Sequence, residues 1–223
     1  MKLTWRTKST LDGRIQRFAI DALQHALACL SGQNVQDGAV LVVDNETGYV
    51  LAYVGNVGTN SSAIYVDGLQ AKRQAGSTLK PFLYGLAIEN KIITAASLID
   101  DSPLDLPTER GVSQPENYDK MYRGFVTARI AFASSLNIPA VRTLNLVGVS
   151  DFAAKLREFG FGSLRDGEFY GPSLALGTAD ITLWELVNAY RTLANEGVWS
   201  RLTLLVDKKV KFIDVYCPRQ QHL

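Results

Sequence analysis

The chain has 223 residues, 47% of them hydrophobic, and a formal net charge of +1. That is enough apolar material for a sizeable core in one large domain or two small ones, and it excludes a disordered chain. A near-neutral charge with no long basic run gives no footing for nucleic acid, and two histidines with two widely separated cysteines give no metal-ligand spacing.

In chain order, residues 10–30 read as a long amphipathic helix whose apolar stripe is Leu11, Ile15, Phe18, Ala22, Leu23, Ala26, Leu27 and Leu30. Cys29 falls on that stripe and is expected to be a buried free thiol; Cys217 is far from it in sequence. Residues 38–44 and 49–55 flank Asn45-Glu46-Thr47-Gly48, a β-hairpin pattern with glycine closing the turn. The nearly continuous apolar run of the first strand predicts a sheet covered on both faces. A polar, glycine-bearing loop over 56–75 then leads to Gly76-Ser77-Thr78-Leu79-Lys80-Pro81-Phe82.

That heptad places a serine hydroxyl three residues before a lysine at the start of a helix, so the two side chains share a face. An unprotonated Lys80 could take the Ser77 proton as the oxygen attacks a carbonyl. An ordinary lysine holds its proton up to pH ~10.4, so the site must be desolvated or positively charged to free the amine. Fourteen serines and ten lysines make one chance Ser-x-x-Lys unremarkable, and a capping serine beside a solvent-facing lysine would give the same pattern. Leu79, Phe82, Leu83, Leu86 and Asn90 recur at helical spacing and are expected to turn into a core, with Ser77, Lys80 and Tyr84 on another face.

Residues 100–119, with Pro103, Pro107 and Pro115, are expected to be irregular. Helical spacing returns over 126–134, 139–146, 151–159 and 183–196, the last opened by a Thr182-x-x-Glu185 capping box and closed by Gly197. The corner Ser134-Ser135-Leu136-Asn137 lies between two of these helices. Ser135 could relay a proton between Lys80 and a leaving amine, and Asn137 could hold substrate amides; a simple helix-ending turn is the alternative. The tail offers one short strand over 210–216, too little to finish a large sheet. No run of about 18 apolar residues and no export-signal pattern occurs, so an upstream segment would be needed to carry the chain across a membrane.

Ser-x-x-Lys together with Ser-x-Asn resembles the active-site set of serine acyl-transferases, which a Lys-Thr-Gly or Lys-Ser-Gly strand completes. Whole segments are similar to the transpeptidase domain of class A penicillin-binding proteins, nearest the 1C type: 10–12, 38–55, 66–68, 73–87, 115–119, 134–141 and 174–197, in family order. The resemblance implies a mixed α/β (α+β) penicillin-binding and serine β-lactamase-like fold, here a mostly helical lobe plus an N-terminal hairpin of an incomplete antiparallel sheet. It implies Ser77 as acylated nucleophile, Lys80 as general base, Ser135 as proton relay and Asn137 as substrate-binding residue, with no metal or organic cofactor. The implied partners are the D-Ala-D-Ala end of a peptidoglycan stem peptide and β-lactams. The open sheet edge could also recruit a strand from another protein. The intact family works at the periplasmic face of the inner membrane; a fragment without signal or anchor would stay in the cytoplasm.

Two departures stand out. Ala75 replaces the proline usual before Gly-Ser, and no Lys-Thr-Gly or Lys-Ser-Gly occurs in the 223 residues. The expected layout is a residual interdomain linker over 1–9, an incomplete transpeptidase domain over 10–204 and a divergent tail over 205–223, the tail suggesting a frameshift or gene truncation. Losing one oxyanion donor costs about 100- to 1000-fold in rate, and losing a strand costs positioning as well. The expectation is impaired transpeptidation or, alternatively, a non-catalytic remnant or partner-binding fragment. A β-lactamase is disfavoured, because Ser-Leu-Asn stands in place of Ser-Asp-Asn and no deacylating glutamate segment is recognisable.

Overall fold

A computed structural model of the protein describes residues 8–58, 61–108, 111–206 and 212–215. The elements are α1 (Gly13–Cys29), β1 (Val40–Val43), β2 (Val50–Val54), β3 (Arg73–Gln74), α2 (Lys80–Glu89), β4 (Leu98–Asp101), β5 (Leu106–Thr108) and β6 (Gly111–Ser113). After these come β7 (Gly124–Thr127), α3 (Ala128–Ala133), α4 (Asn137–Val147), α5 (Val149–Glu158), α6 (Gly167–Tyr170), β8 (Asp180–Ile181), α7 (Leu183–Ala194), β9 (Val198–Ser200) and β10 (Phe212–Asp214). Short 3-10 turns occupy Gly76–Leu79 and Gly171–Leu176. The chain forms two compact units, Met1–Lys72 with Thr182–Leu223, and Arg73–Ile181.

In the first unit, Asp12 caps α1 by accepting from the Arg14 and Ile15 N–H groups. Ala19 and Leu23 of α1 pack on Ala52, Val54 and Val57, joined by Ile15, Ile20, Leu27, Val40 and Val42. The helix meets a single hairpin, so a narrow stripe suffices, and it runs through Ala19 rather than Phe18. Phe18 lies one residue further round, some 100° away, and is 74% exposed. The expected burial of Cys29 also fails: it lies on the Phe18 edge of the stripe, about 200° round the helix from Leu27, and is exposed.

β1 and β2 form the expected antiparallel hairpin, pairing Val40 with Val54 and Leu41 with Tyr53. Asp44 holds the turn by accepting from the Thr47 N–H and hydroxyl, and Gly48 closes it at φ +71°. Both faces are covered, as the apolar run predicts: α1 lies against the Ala52–Val54 side, and the Tyr53 ring, pointing the other way, meets Trp184 of α7 at 6.3 Å. The Thr182–Glu185 capping box opens α7. β10 supplies the short C-terminal strand within its described residues, antiparallel to β9. Single bridges from Thr203 and Leu205 to Tyr49 and Ser9 extend the hairpin, but the described strands otherwise pair only in twos.

The second unit is built round α2. Leu79, Phe82, Leu83 and Leu86 are buried as expected, and Phe82 makes edge contacts with Phe159 and Phe161 at 5.0 and 5.7 Å. Each such side chain contributes about 2 kcal/mol of apolar burial. Asn90, at the end of the expected stripe, is exposed as the C-cap. The opposite face is buried too, with Tyr84 at 4% and Lys80 at 1% exposure, because α3, α4 and α5 enclose α2 from several sides. Residues 100–119 are less irregular than their prolines suggest: β5 and β6 form a two-stranded ribbon, and β4 pairs antiparallel with β7. An isolated ribbon tolerates Pro107, whose missing N–H would break a central strand.

Candidate active site

The turn carrying Ser77 is shaped by glycines. Gly76 takes φ +59°, and its N–H donates to the Gly177 carbonyl at 2.9 Å while Ala75 N–H donates to Ala179 O at 3.1 Å. β3 and β8 continue this pairing outward. A Cβ on Gly177 would sit 1.9 Å from the Gly76 carbonyl oxygen, so the two strands approach this closely only with glycine there. Ser77 then lies in the 3-10 turn, and α2 begins at Lys80, whose N–H donates to the Ser77 carbonyl. The expected helix thus starts three residues later than Ser77. A 3-10 turn eclipses positions i and i+3, so it keeps residues 77 and 80 on one side. Ser77 is exposed, and its hydroxyl makes no hydrogen bond among the described residues.

The second corner has a distinct local cause. α3 ends in a Schellman closure: Ser135 N–H donates to Phe132 O at 3.0 Å and Leu136 N–H to Ala131 O at 2.9 Å. That motif needs a left-handed residue, normally glycine, and here it is Ser135 at φ +52°. A β-carbon in this conformation is a cost of order 1 kcal/mol or more, of the kind that collects at functional sites. Leu136 returns to extended geometry, and Asn137 opens α4.

The structure brings three of the four expected residues into direct contact. Lys80 Nζ donates to the Ser135 carbonyl at 2.6 Å, to Asn137 Oδ1 at 2.7 Å and to Ser135 Oγ at 3.2 Å. Asn137 Nδ2 donates to the Glu116 carbonyl at 2.8 Å, which fixes its oxygen toward the lysine. Ser77 is not among the hydrogen-bond partners of Lys80. Burial brings the Lys80 amine down to about 8. A neutral amine has two N–H donors for the two short carbonyl contacts, leaving its lone pair for a hydroxyl proton.

Asn117 and Asp101 carry no role in the sequence reading, yet the structure ties them to this corner. Asn117 is 3% exposed and Asp101 fully buried. Asn117 Oδ1 accepts from the Asn137 N–H at 2.8 Å, and its Nδ2 donates to both Asp101 oxygens at 2.8 and 3.0 Å. The pointer in the sequence is Pro115-Glu116-Asn117-Tyr118-Asp119, which stands out only through the family resemblance.

A mixed α/β fold in which a Ser-x-x-Lys turn and a Ser-x-Asn corner are built into one unit is that of the penicillin-binding transpeptidases and serine β-lactamase-like proteins. Residues 38–221 match the family described as penicillin binding protein transpeptidase domain, and the chain belongs to it. It is 35% identical over 202 residues to penicillin-binding protein 1C of Escherichia coli, covering 89% of this chain and 26% of that protein. The crystal structure of penicillin-binding protein 1A from Haemophilus influenzae superposes with a TM-score of 0.68 at 28% identity, covering 78% of this chain and 25% of that one. The transpeptidase domain of Burkholderia pseudomallei penicillin-binding protein 3 shares the fold, with a TM-score of 0.78 at 19% identity, over 97% of this chain and 68% of that one. The chain therefore spans about a quarter of the length of the class A relatives. No described helix is long and apolar enough to cross a membrane.

Proposed function

We propose that this chain carries the acylation centre of a peptidoglycan DD-transpeptidase in impaired form. Ser77 attacks the penultimate D-alanyl carbonyl of a stem peptide, Lys80 takes the hydroxyl proton, and Ser135 passes it to the departing D-alanine amine. The acyl-enzyme would then be resolved by an amine of a second stem, on the periplasmic side of the membrane where peptidoglycan lies. Asn137 offers its second Nδ2 hydrogen to a substrate amide. The observation that carries this reading is a lysine 1% exposed, held by Ser135 and Asn137, with its proton affinity brought down to about 8.

In this reading the transpeptidase domain begins near residue 10 and, with the family match, runs through residue 221. These 223 residues hold no Lys-Thr-Gly or Lys-Ser-Gly, so taken by themselves they offer an oxyanion the Ser77 N–H without the second donor that motif would supply. Acylation should be slow. Incubation with a fluorescent penicillin, with Ser77→Ala as control, tests this: slow Ser77-dependent labelling is expected. Rapid stoichiometric labelling would overturn the importance given to the absent motif. No Ser77-dependent label after prolonged incubation would favour a non-catalytic remnant or a fragment whose open sheet edge binds a partner.

A further inference from the structure

We propose that Asn117 and Asp101 are positioning residues for the Lys80 corner: the buried Asp101 carboxylate fixes the Asn117 amide, and Asn117 with the adjoining Glu116 carbonyl fixes Asn137. This rests on the reading of Lys80 as the base, and it adds two residues that touch no reacting atom.

Asp101, at the end of β4, is fully buried, and its oxygens accept from Asn117 Nδ2 and from the Arg123 N–H at 3.1 Å. A carboxylate only accepts, so the Asn117 amide has one orientation available, with Oδ1 turned away from Asp101. Met121 O accepts from the same Nδ2 at 2.9 Å and reinforces it. Asn117 Oδ1 takes the Asn137 N–H, one of the first-turn donors of α4 that the helix itself leaves unpaired. The preceding residue grips the side chain of the same asparagine through Glu116 O. Two consecutive residues therefore hold Asn137 at its backbone and at its amide, and the Asn137 oxygen is left facing Lys80 Nζ at 2.7 Å.

Nothing else in that segment anchors it as deeply. Glu116 and Tyr118 are exposed on either side of Asn117. Without the Asn117 side chain the Glu116 carbonyl is no longer held in place, the Asn137 amide turns, and Lys80 loses one of its two short acceptors. An acceptor stabilises the ammonium over the amine, so its loss makes Lys80 surrender its proton more readily. The other ionisable groups tied to this network are Arg123 beside Asp101, its ion-pair partner Asp119, and Tyr84 on α2, which burial pushes up to about 12 and keeps neutral.

The test is the titration of Lys80 in the full chain labelled with ε-13C lysine, its resonance assigned by Lys80→Arg. The native midpoint is expected near 8. Asn117→Ala should lower the proton affinity of Lys80 about tenfold or more, and the nearly isosteric Asp101→Asn should move it the same way by less. Thr192→Val removes a buried hydrogen bond of the first unit, to Asn188 O, and should leave the midpoint in place while costing stability. An unchanged or higher midpoint in a folded Asn117→Ala chain would overturn the proposal, as would an equal displacement in Thr192→Val. Should Asn117→Ala not fold, Asp101→Asn decides by the same criterion. The titration needs no acylation, so penicillin labelling of the same samples reads the proposed function separately.

Discussion

Arg191 in the first unit and Lys80 in the second are both almost fully buried, at 2% and 1% exposure, yet they are held in different ways. The Arg191 guanidinium is pinned by main-chain carbonyls of Asn45, Glu46 and Ser200 at 2.8, 3.2 and 3.1 Å and by the Ser200 hydroxyl at 2.8 Å. It clamps the β1–β2 turn to α7 and β9, and as a guanidinium it keeps its proton at any working pH. Lys80 leans partly on side-chain acceptors beside a left-handed serine, and burial brings its proton affinity into the range where proton transfer is easy. The first arrangement is a staple; the second is suited to moving a proton. Burial of a cation is thus no guide to function until its partners and its ability to deprotonate are known.

The sharpest way to break the comparison is to disrupt one corner without touching its cation. Gly177→Ala forces a Cβ against the Gly76 carbonyl at a residue with φ +72°, so the Ser77 turn must move. A loss of about 4 kcal/mol or outright failure to fold is expected by urea unfolding. Next is Arg191→Met, which strands several buried carbonyls and should cost about 3 kcal/mol, equally at pH 7 and pH 10.

Lys80 should behave differently with pH. Its folded proton affinity lies below the unfolded value, so between about pH 8 and pH 10.5 the unfolded chain binds more protons. Stability from this group therefore rises with pH across that window, by at most roughly 3 kcal/mol, and levels off above it. Lys80→Met should flatten that rise in pH-dependent unfolding curves, and Arg191→Met should not. The smallest effect is expected for Ser135→Gly, which relieves the left-handed strain at φ +52° and should add about 0.5–1 kcal/mol while reducing Ser77 labelling. A simultaneous fall in stability would deny that strain is stored at this corner.

Much of this was legible in the residues. The hairpin, the α7 capping box and the apolar face of α2 follow from spacing and turn chemistry. Ser77, Lys80, Ser135 and Asn137 were readable only as two short motifs, and the resemblance joined them. Spacing could not tell that Lys80 turns to Ser135 and Asn137, because those residues are more than fifty positions away and meet it through packing of α2 against α4. Nor could it show Asp101 and Asn117 as buried polar residues: Asp101 sits in an acidic, proline-rich stretch whose composition reads as surface loop. Phe18 and Cys29 went astray for a simpler reason, since a stripe drawn from apolar residues alone does not say which edge of it the hairpin covers.

The most direct test of the central claim, that Lys80 is the base for Ser77, is the rate of penicillin adduct formation on Ser77 by mass spectrometry across pH 6 to 10. A slow rate that climbs through about pH 8, reaches a plateau and disappears in Lys80→Met is the predicted result. A rate on Ser77 that ignores pH over this range, or survives loss of the Lys80 amine, would contradict it.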